Sequence, residues 1–262
     1  MRILCVGDIF GKPGKLTASK MIPKIISEYN VDLCIANGEN AAGGFGLTDN
    51  IAQRIFRFGV DVITSGNHIW DRQEAYQLLE KESTRILRPA NYPPGVPGRG
   101  YTVFETKSGN KIGVINLQGR IFMPPIDCPF RTADEILDKI RLKTKVVIVD
   151  FHAEATSEKI ALGWYLDGKV SAVVGTHTHV MTADEQILPK GTAFITDVGM
   201  TGPHESIIGV KVEQSLSRIL KQVPHRFTPA ESGLKFSAVL IEVNHKTGGA
   251  LSIERILENV EE

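Results

Sequence analysis

Apolar and polar positions follow two rhythms along the chain. Short apolar runs at Ile3 to Val6, Val31 to Ala36 and Asp61 to Thr64 read as buried strands. Between them, Leu16 to Tyr29 and Thr48 to Phe58 carry apolar residues at helical spacing, and Gln73 to Glu80 is predicted helical as well. Strands alternating with helices predict βαβ units and parallel pairing. The middle of the chain changes character. Arg88 to Gly100 is rich in Pro and Gly and reads as a loop, and Tyr101 to Glu105 and Lys111 to Asn116 flank a Ser108-Gly109-Asn110 hairpin turn. Thr132 and Glu135 are spaced as a capping box opening a helix that ends near Leu142. Val146 to Val149 and Ala172 to Val174 are further buried strands around a helix near Ser157 to Tyr165. The last third holds strands at Ala193 to Thr196, Ser237 to Val243 and Ala250 to Ile256, the last two joined by a Lys246-Thr247-Gly248-Gly249 turn. No repeat, low-complexity tract or linker interrupts this pattern. The expectation is an α/β protein, one domain over residues 1–262, with two packed sheets and helices outside.

Composition narrows the function classes. Lys plus Arg and Asp plus Glu each total 30, so the net charge is zero. That argues against tight coating of nucleic acid or of an anionic membrane. No apolar stretch reaches the ~18 residues of a membrane span. Cys5, Cys34 and Cys128 have no regular spacing and no Cys-x-x-Cys, which fits a reducing compartment without a disulfide framework. The N-terminal apolar run is short and ends in Asp8, unlike a signal peptide. A cytoplasmic location is expected. A chain of this length should fold to a surface near ~11,300 Å², burying roughly 73% of what it exposes unfolded.

The informative polar residues follow directly on strands. Asp8 follows the first, Asn37-Gly38-Glu39-Asn40 the second and Gly66-Asn67-His68 the third. Asp150-Phe151-His152 and Gly175-Thr176-His177-Thr178-His179 follow two later ones. In α/β sheets the carboxyl ends of strands line one crevice, where ligands bind. Four of the seven histidines, His68, His152, His177 and His179, lie in these clusters; His204, His225 and His245 do not. Two residues apart on an extended segment, His177 and His179 would point the same way. Imidazole with carboxylate and amide oxygen suits Mn, Fe or Zn better than Mg alone. Taken singly, Asp8, Glu39, Asn40, Asn67 and His152 are better explained by a cap, a turn or a packed side chain, whereas Gly175-Thr176-His177-Thr178-His179 points to function by itself; jointly they point to a metal site. Gly11-Lys12-Pro13-Gly14-Lys15 resembles a phosphate loop but fails its spacing, and His-Glu-x-x-His is absent.

Gly66-Asn67-His68 and Gly175-Thr176-His177-Thr178-His179 resemble the Gly-Asn-His and Gly-His-x-His blocks of the calcineurin-like metallophosphoesterases. Two departures narrow the likeness. Phe10 stands where that superfamily has the His of Asp-x-His, and Glu39 stands where its bridging residue is usually Asp. With these departures the chain resembles the YmdB-like bacterial phosphodiesterases, which act on 2′,3′-cyclic nucleotides. The likeness spans nearly the whole chain, including Asn37 to Gly44, Arg88 to Pro93, Asn116 to Arg120, Pro124 to Arg131, Asp150 to Glu158 and Thr196 to Pro203.

The resemblance implies a four-layer αββα sandwich of two mixed sheets and a dinuclear centre. One metal would be held by Asp8, Glu39, Asn40 and His179, the other by Glu39, Asn67, His152 and His177, with Glu39 bridging. Asn40 would replace the imidazole lost at Phe10. Fe and Mn are the leading candidates, with Zn and Mg behind them. A metal-bridging hydroxide would open 2′,3′-cyclic AMP or GMP to the 3′-nucleotide, with His68 as the acid, and a regulatory role would fit beside this activity. For substrate contacts, Gly43, Gly44 and Phe45 fit a nucleotide as well as a flexible turn with a packed ring. Arg120 and Arg131 fit phosphate contacts or surface ion pairs. The likeness raises self-association into a homo-oligomer, although no interface signature is visible, and no feature points to RNA-processing partners. A phosphomonoesterase, an RNA-directed phosphoesterase and a non-catalytic nucleotide sensor or scaffold are the alternatives.

Overall fold

The chain runs β1 (Arg2–Val6), β2 (Asp8–Ile9), α1 (Gly11–Tyr29), β3 (Leu33–Asn37), α2 (Asp49–Arg57), β4 (Val62–Thr64), then a 3-10 turn over Asn67–Asp71 and α3 (Ala75–Lys81). It continues through β5 (Tyr101–Glu105), β6 (Lys111–Gln118), α4 (Pro129–Ile140), β7 (Val147–His152), α5 (Thr156–Leu166) and β8 (Ala172–Thr176). It closes with β9 (Gln186–Ile187), β10 (Ala193–Ile195), β11 (Met200–Pro203), α6 (Val212–Lys221), β12 (Leu234–Val243) and β13 (Ala250–Asn259). This computed structural model describes residues 1–224 and 226–261, so His225 and Glu262 lie outside the described residues. Among the described residues, no helix is long and apolar enough to cross a membrane.

Two mixed sheets form. One is ordered β2-β11-β12-β1-β3-β4, with β13 also paired to β12; the other is ordered β5-β6-β7-β8-β10-β9. β1, β3 and β4 are parallel, as are β6, β7, β8 and β10. Each parallel pair is joined through a helix or a long crossover, so these strands point their carboxyl ends the same way.

Strand alternation builds the layers. Ile3 and Cys5 of β1, Leu33 and Ile35 of β3, Ile148 of β7 and Val174 of β8 share one apolar cluster between the sheets. The alternate residues Leu4 and Val6 face out against Ile22 and Ile25 of α1 and Ile55 of α2. On the other sheet, Val149 and Phe151 face out against Ile136 and Leu137 of α4 and Leu162 of α5. Successive residues point to opposite faces, so each strand serves two cores at once. The layers are helix, sheet, sheet, helix. The folded surface, 11757 Å², is close to the scaling expectation.

The period of two also places chemistry. Continued to the strand ends, the inter-sheet row carries Asn37 on β3, Asn116 and Gln118 on β6, Asp150 and His152 on β7, and Thr176 on β8, all buried. The layer is apolar along its length and polar at one edge.

Several element boundaries differ from the sequence reading. The Thr132-to-Glu135 capping box does not form. α4 begins three residues earlier at Pro129, after Cys128, and has no side-chain cap. Proline at the first helical position brings a preset φ and needs no N–H partner, so it starts the helix ahead of Thr132. α1 likewise begins at Gly11 and takes Pro13 into its first turn, where the N–H groups have no helical acceptor. β11 and α6 were not anticipated. β11 has a Gly-Pro end that reads as loop, and of α6 only Ser215 is buried.

Phe151 is fully buried between β7 and the outer helices. Phe151→Ala should cost about 3–5 kcal/mol. Urea unfolding should show a lower midpoint with an unchanged slope.

Candidate metal centre

The polar edge of the inter-sheet layer gathers side chains from five segments. Glu39, in the turn after β3, is fully buried. Its backbone N–H donates to Asn37 Oδ1 at 3.1 Å, which ties the turn to the strand end. Glu39 Oε1 lies 2.9 Å from His152 Nε2, and Oε2 accepts the backbone N–H of His68 at 3.0 Å. His152 Nε2 is also 3.1 Å from Asn67 Oδ1 and 3.0 Å from His177 Nδ1. Glu39, His152 and His177 each offer one ligand atom, all within 4.8 Å of one another. Beside them, Asn40 Nδ2 lies 3.1 Å from His179 Nε2, 3.3 Å from Glu39 Oε1 and 3.5 Å from Asp8 Oδ1. His179 Nε2 is 3.7 Å from Asp8 Oδ1.

The outward nitrogen of each imidazole fixes the inward one. Thr176 spends its hydroxyl proton on Asp150 Oδ1 at 2.8 Å, so its oxygen accepts from His152 Nδ1 at 2.9 Å. His179 Nδ1 donates to the Ile208 carbonyl at 2.9 Å, and His177 Nε2 faces Glu154 Oε2 at 3.0 Å. The inward atoms are His152 Nε2, His177 Nδ1 and His179 Nε2, the first of which donates to Glu39 Oε1 when its ring is charged. Nitrogens 3.0 Å apart, beside a carboxylate and an amide oxygen, need a positive charge among them, either a proton on His152 or a metal ion. This donor set fits a transition-metal cation. Asn40 fits through its amide oxygen, which a half-turn about χ2 brings inward.

The titration of these groups reflects the same crowding. Burial works to raise Glu39, but the charge and hydrogen bond of His152 outweigh it and hold the carboxyl at about 2. Burial works to lower His152, but Glu39, Asp8 and Asp150 outweigh it and carry the imidazole up to about 9. Burial and the neighbouring charge of His152 push His177 down to about 3. Asp8 is raised by burial.

The His177-Thr178-His179 segment is not extended. β8 ends at Thr176, and His177 and His179 take positive φ values of 100° and 65°. Such backbone costs on the order of 1–3 kcal/mol per residue and persists only where its surroundings hold it. Asp197 does so. It is fully buried, and Oδ2 accepts Thr178 N at 3.1 Å, Thr178 Oγ1 at 2.7 Å and Lys159 Nζ at 2.6 Å. His177 N also donates to Asp8 Oδ2 at 3.2 Å. The turn sends His177 to Glu39 and His152 and sends His179 to Asn40 and Asp8. The two rings enter one site from a bent backbone, where the sequence reading had them parallel on a strand. Asp197 and Lys159 escaped that reading because their role is tertiary.

His68 stands at the mouth. Its Nδ1 lies 2.8 Å from Asp71 Oδ2, which leaves Nε2 to a cavity of about 340 Å³ that also exposes His177, His179, Gly44 and Phe45. Phe45 meets the His68 ring edge to face at 5.0 Å. Phe10 packs edge-on against His179, with centroids 5.5 Å apart. Gly43 opens on a neighbouring cavity. Arg120 and Arg131 are not brought to this site. Arg120 lines a separate cavity with Glu158 and Phe130, and Arg131 is exposed on α4. His204 Nε2 pairs with the Met200 carbonyl, and His245 is exposed.

A family model described as YmdB-like protein matches residues 4–256. A 2′,3′-cyclic-nucleotide 2′-phosphodiesterase of Bacillus subtilis (strain 168) is 50% identical, covering 99% of this chain and 97% of the relative. A putative phosphatase/phosphodiesterase of Mycoplasma genitalium is 37% identical, covering 98% and 92%. The crystal structure of a hypothetical protein from Thermus thermophilus superposes with TM-score 0.93 at 45% identity, covering 99% of both chains. The crystal structure of a novel phosphatase from Mycoplasma pneumoniae gives 0.92 at 34% identity, covering 99% and 93%.

Gly66 has to be glycine for His152 to reach its place. A Cβ there would lie 2.0 Å from His152 Cδ2. Gly66→Ala should keep the far-UV spectrum and weaken Mn²⁺ binding about 10–100-fold, as displaced supporting groups do. Calorimetric titration with the metal checks this.

Proposed function

This chain belongs to the YmdB-like protein family, and from that premise we propose that it hydrolyses 2′,3′-cyclic nucleotides at a dinuclear metal site. The observation that supports this reading best is the sharing of Glu39 between two groups of ligand atoms. Asp8, Asn40 and His179 would complete one site with it, and Asn67, His152 and His177 the other. Fe and Mn suit this set of imidazole, carboxylate and amide donors. When bound, two such ions would act as Lewis acids toward the phosphoryl group and supply hydroxide near neutral pH.

The chain's own residues do the rest. Asp8 and Glu39 offset two of the four positive charges, so the loaded site would draw in a phosphodiester anion. The strained His177-to-His179 turn, held by Asp197, keeps two imidazoles in fixed positions through the reaction. Asp71 fixes the ring of His68, whose Nε2 would pass a proton to the leaving ribose oxygen. Gly44 lets the backbone line the cavity without a side chain, since a Cβ there would press on Phe10 at 3.2 Å. Phe45 offers a ring face for a base.

A second reading, a phosphomonoesterase, is favoured by the phosphatase descriptions of the mycoplasmal relatives. Purified protein with Mn²⁺ should convert 2′,3′-cyclic AMP to 3′-AMP, and a chelator should stop it. Adenosine as the end product would favour the monoesterase. Folded, metal-loaded protein without turnover would overturn both. His68→Ala should retain its metals by elemental analysis and lose ~10²–10⁴ in kcat. Loss of the metals in that variant would make His68 a ligand instead.

A further inference from the structure

The cavity at the ligand cluster has a larger neighbour. That second cavity, about 650 Å³, lies beyond the Gly43-Gly44 turn. Chain segments pass from one to the other through consecutive residues: Gly44 to Gly43, Val210 to Lys211 and Phe227 to Thr228. Consecutive Cα atoms are about 3.8 Å apart. The two cavities are therefore neighbours, parted by the same three stretches of chain.

Their chemistry differs. The larger cavity holds no ligand-type cluster. Its lining includes Lys12, Lys211 and Glu231 and an apolar floor with Leu16 and Pro229. Among the described residues neither lysine forms an ion pair, although both are exposed. Two free ammonium groups against one carboxylate leave a local positive surplus in a protein of zero net charge. A cyclic mononucleotide carries one anionic group, which the ligand cluster takes. It brings nothing for these two cations.

We propose that the larger cavity is a subsite for a second phosphate, carried on O5′ of the ribose that bears the cyclic phosphate, and that the preferred substrates are short RNAs ending in a 2′,3′-cyclic phosphate. This rests on the cyclic-phosphodiesterase reading of the neighbouring cluster. The lysines pair with the phosphodiester, and the apolar floor lies under the next nucleoside. Contacts of this kind are exposed, so the preference weakens as salt rises.

The test compares kcat/KM for 2′,3′-cyclic AMP, its 5′-phosphorylated form and the dinucleotide ApA ending in a 2′,3′-cyclic phosphate. The dinucleotide should exceed cyclic AMP about tenfold, mainly through KM, equivalent to about 1.4 kcal/mol. In Lys12→Ala/Lys211→Ala that ratio should fall toward one, and Lys12→Arg/Lys211→Arg should restore it. A wild-type ratio near one, or a ratio that survives the alanine pair, overturns the subsite and leaves the diesterase reading standing. Preference for the 5′-phosphorylated mononucleotide alone overturns the RNA-end assignment. If none of the three is turned over, the diesterase reading fails, and binding then decides the subsite. Adenosine 3′,5′-bisphosphate should bind about tenfold tighter than 3′-AMP, with the difference lost in the alanine pair. Equal affinities overturn it.

Discussion

The structure depends on one constraint, that successive residues of a strand face opposite ways. In this chain the constraint divides every central strand between two cores. Ile3 and Cys5 seal the layer between the sheets while Leu4 and Val6 receive the helices. The same count, carried to the strand ends, turns Asn37, Asp150, His152 and Thr176 toward one edge of that layer. Packing and chemistry are set by one periodicity. A one-residue slip of β7 would send His152 into the helix face and Phe151 into the site.

Collecting polar groups at a buried edge has an electrostatic cost, and the molecule meets it with mutual compensation. Glu39 and His152 shift in opposite directions because each stabilises the other's charge. Lys159 and Asp197 form a second ion pair, both buried and 2.6 Å apart. A buried pair of this kind is weak evidence of stability, since taking both charges from water costs about what their attraction returns. Here the pair has a geometric task. The Asp197 carboxylate also holds Thr178, and through it the positive-φ turn that separates His177 from His179.

The mouth of the site is shaped by an aromatic ring and a glycine turn held from its carbonyls. Phe10 packs against His179, Gly44 and Gly209. Arg72 donates to the carbonyls of Ala42 and Phe45 and holds the glycine turn from beneath. Lys15 donates to the Ala41 carbonyl from the other side. The turn is thereby a fixed wall between two cavities. Three described cysteines are free, and burial pushes the Cys5 and Cys34 thiols up, so neither offers a nucleophile.

The sequence alone determined the alternation of strands and helices, the two-sheet class and the clusters at strand ends, because periodicity and local residue chemistry are properties of neighbours along the chain. It also made legible that Asp8, Glu39, Asn40, Asn67, His152, His177 and His179 belong together, through motif and family likeness. Tertiary structure decided how they meet. The bend at His177 depends on Asp197, which lies beyond the next two strands, and no local period encodes that contact. Pro129 moved a helix start that the spacing of Thr132 and Glu135 had marked. Arg120 and Arg131 carry the right charge for phosphate, but their positions follow from where α4 and the loop after β6 pack, which puts them on another face. Lys12 and Lys211 lie far apart in the sequence, and only the folded chain brings them to one cavity.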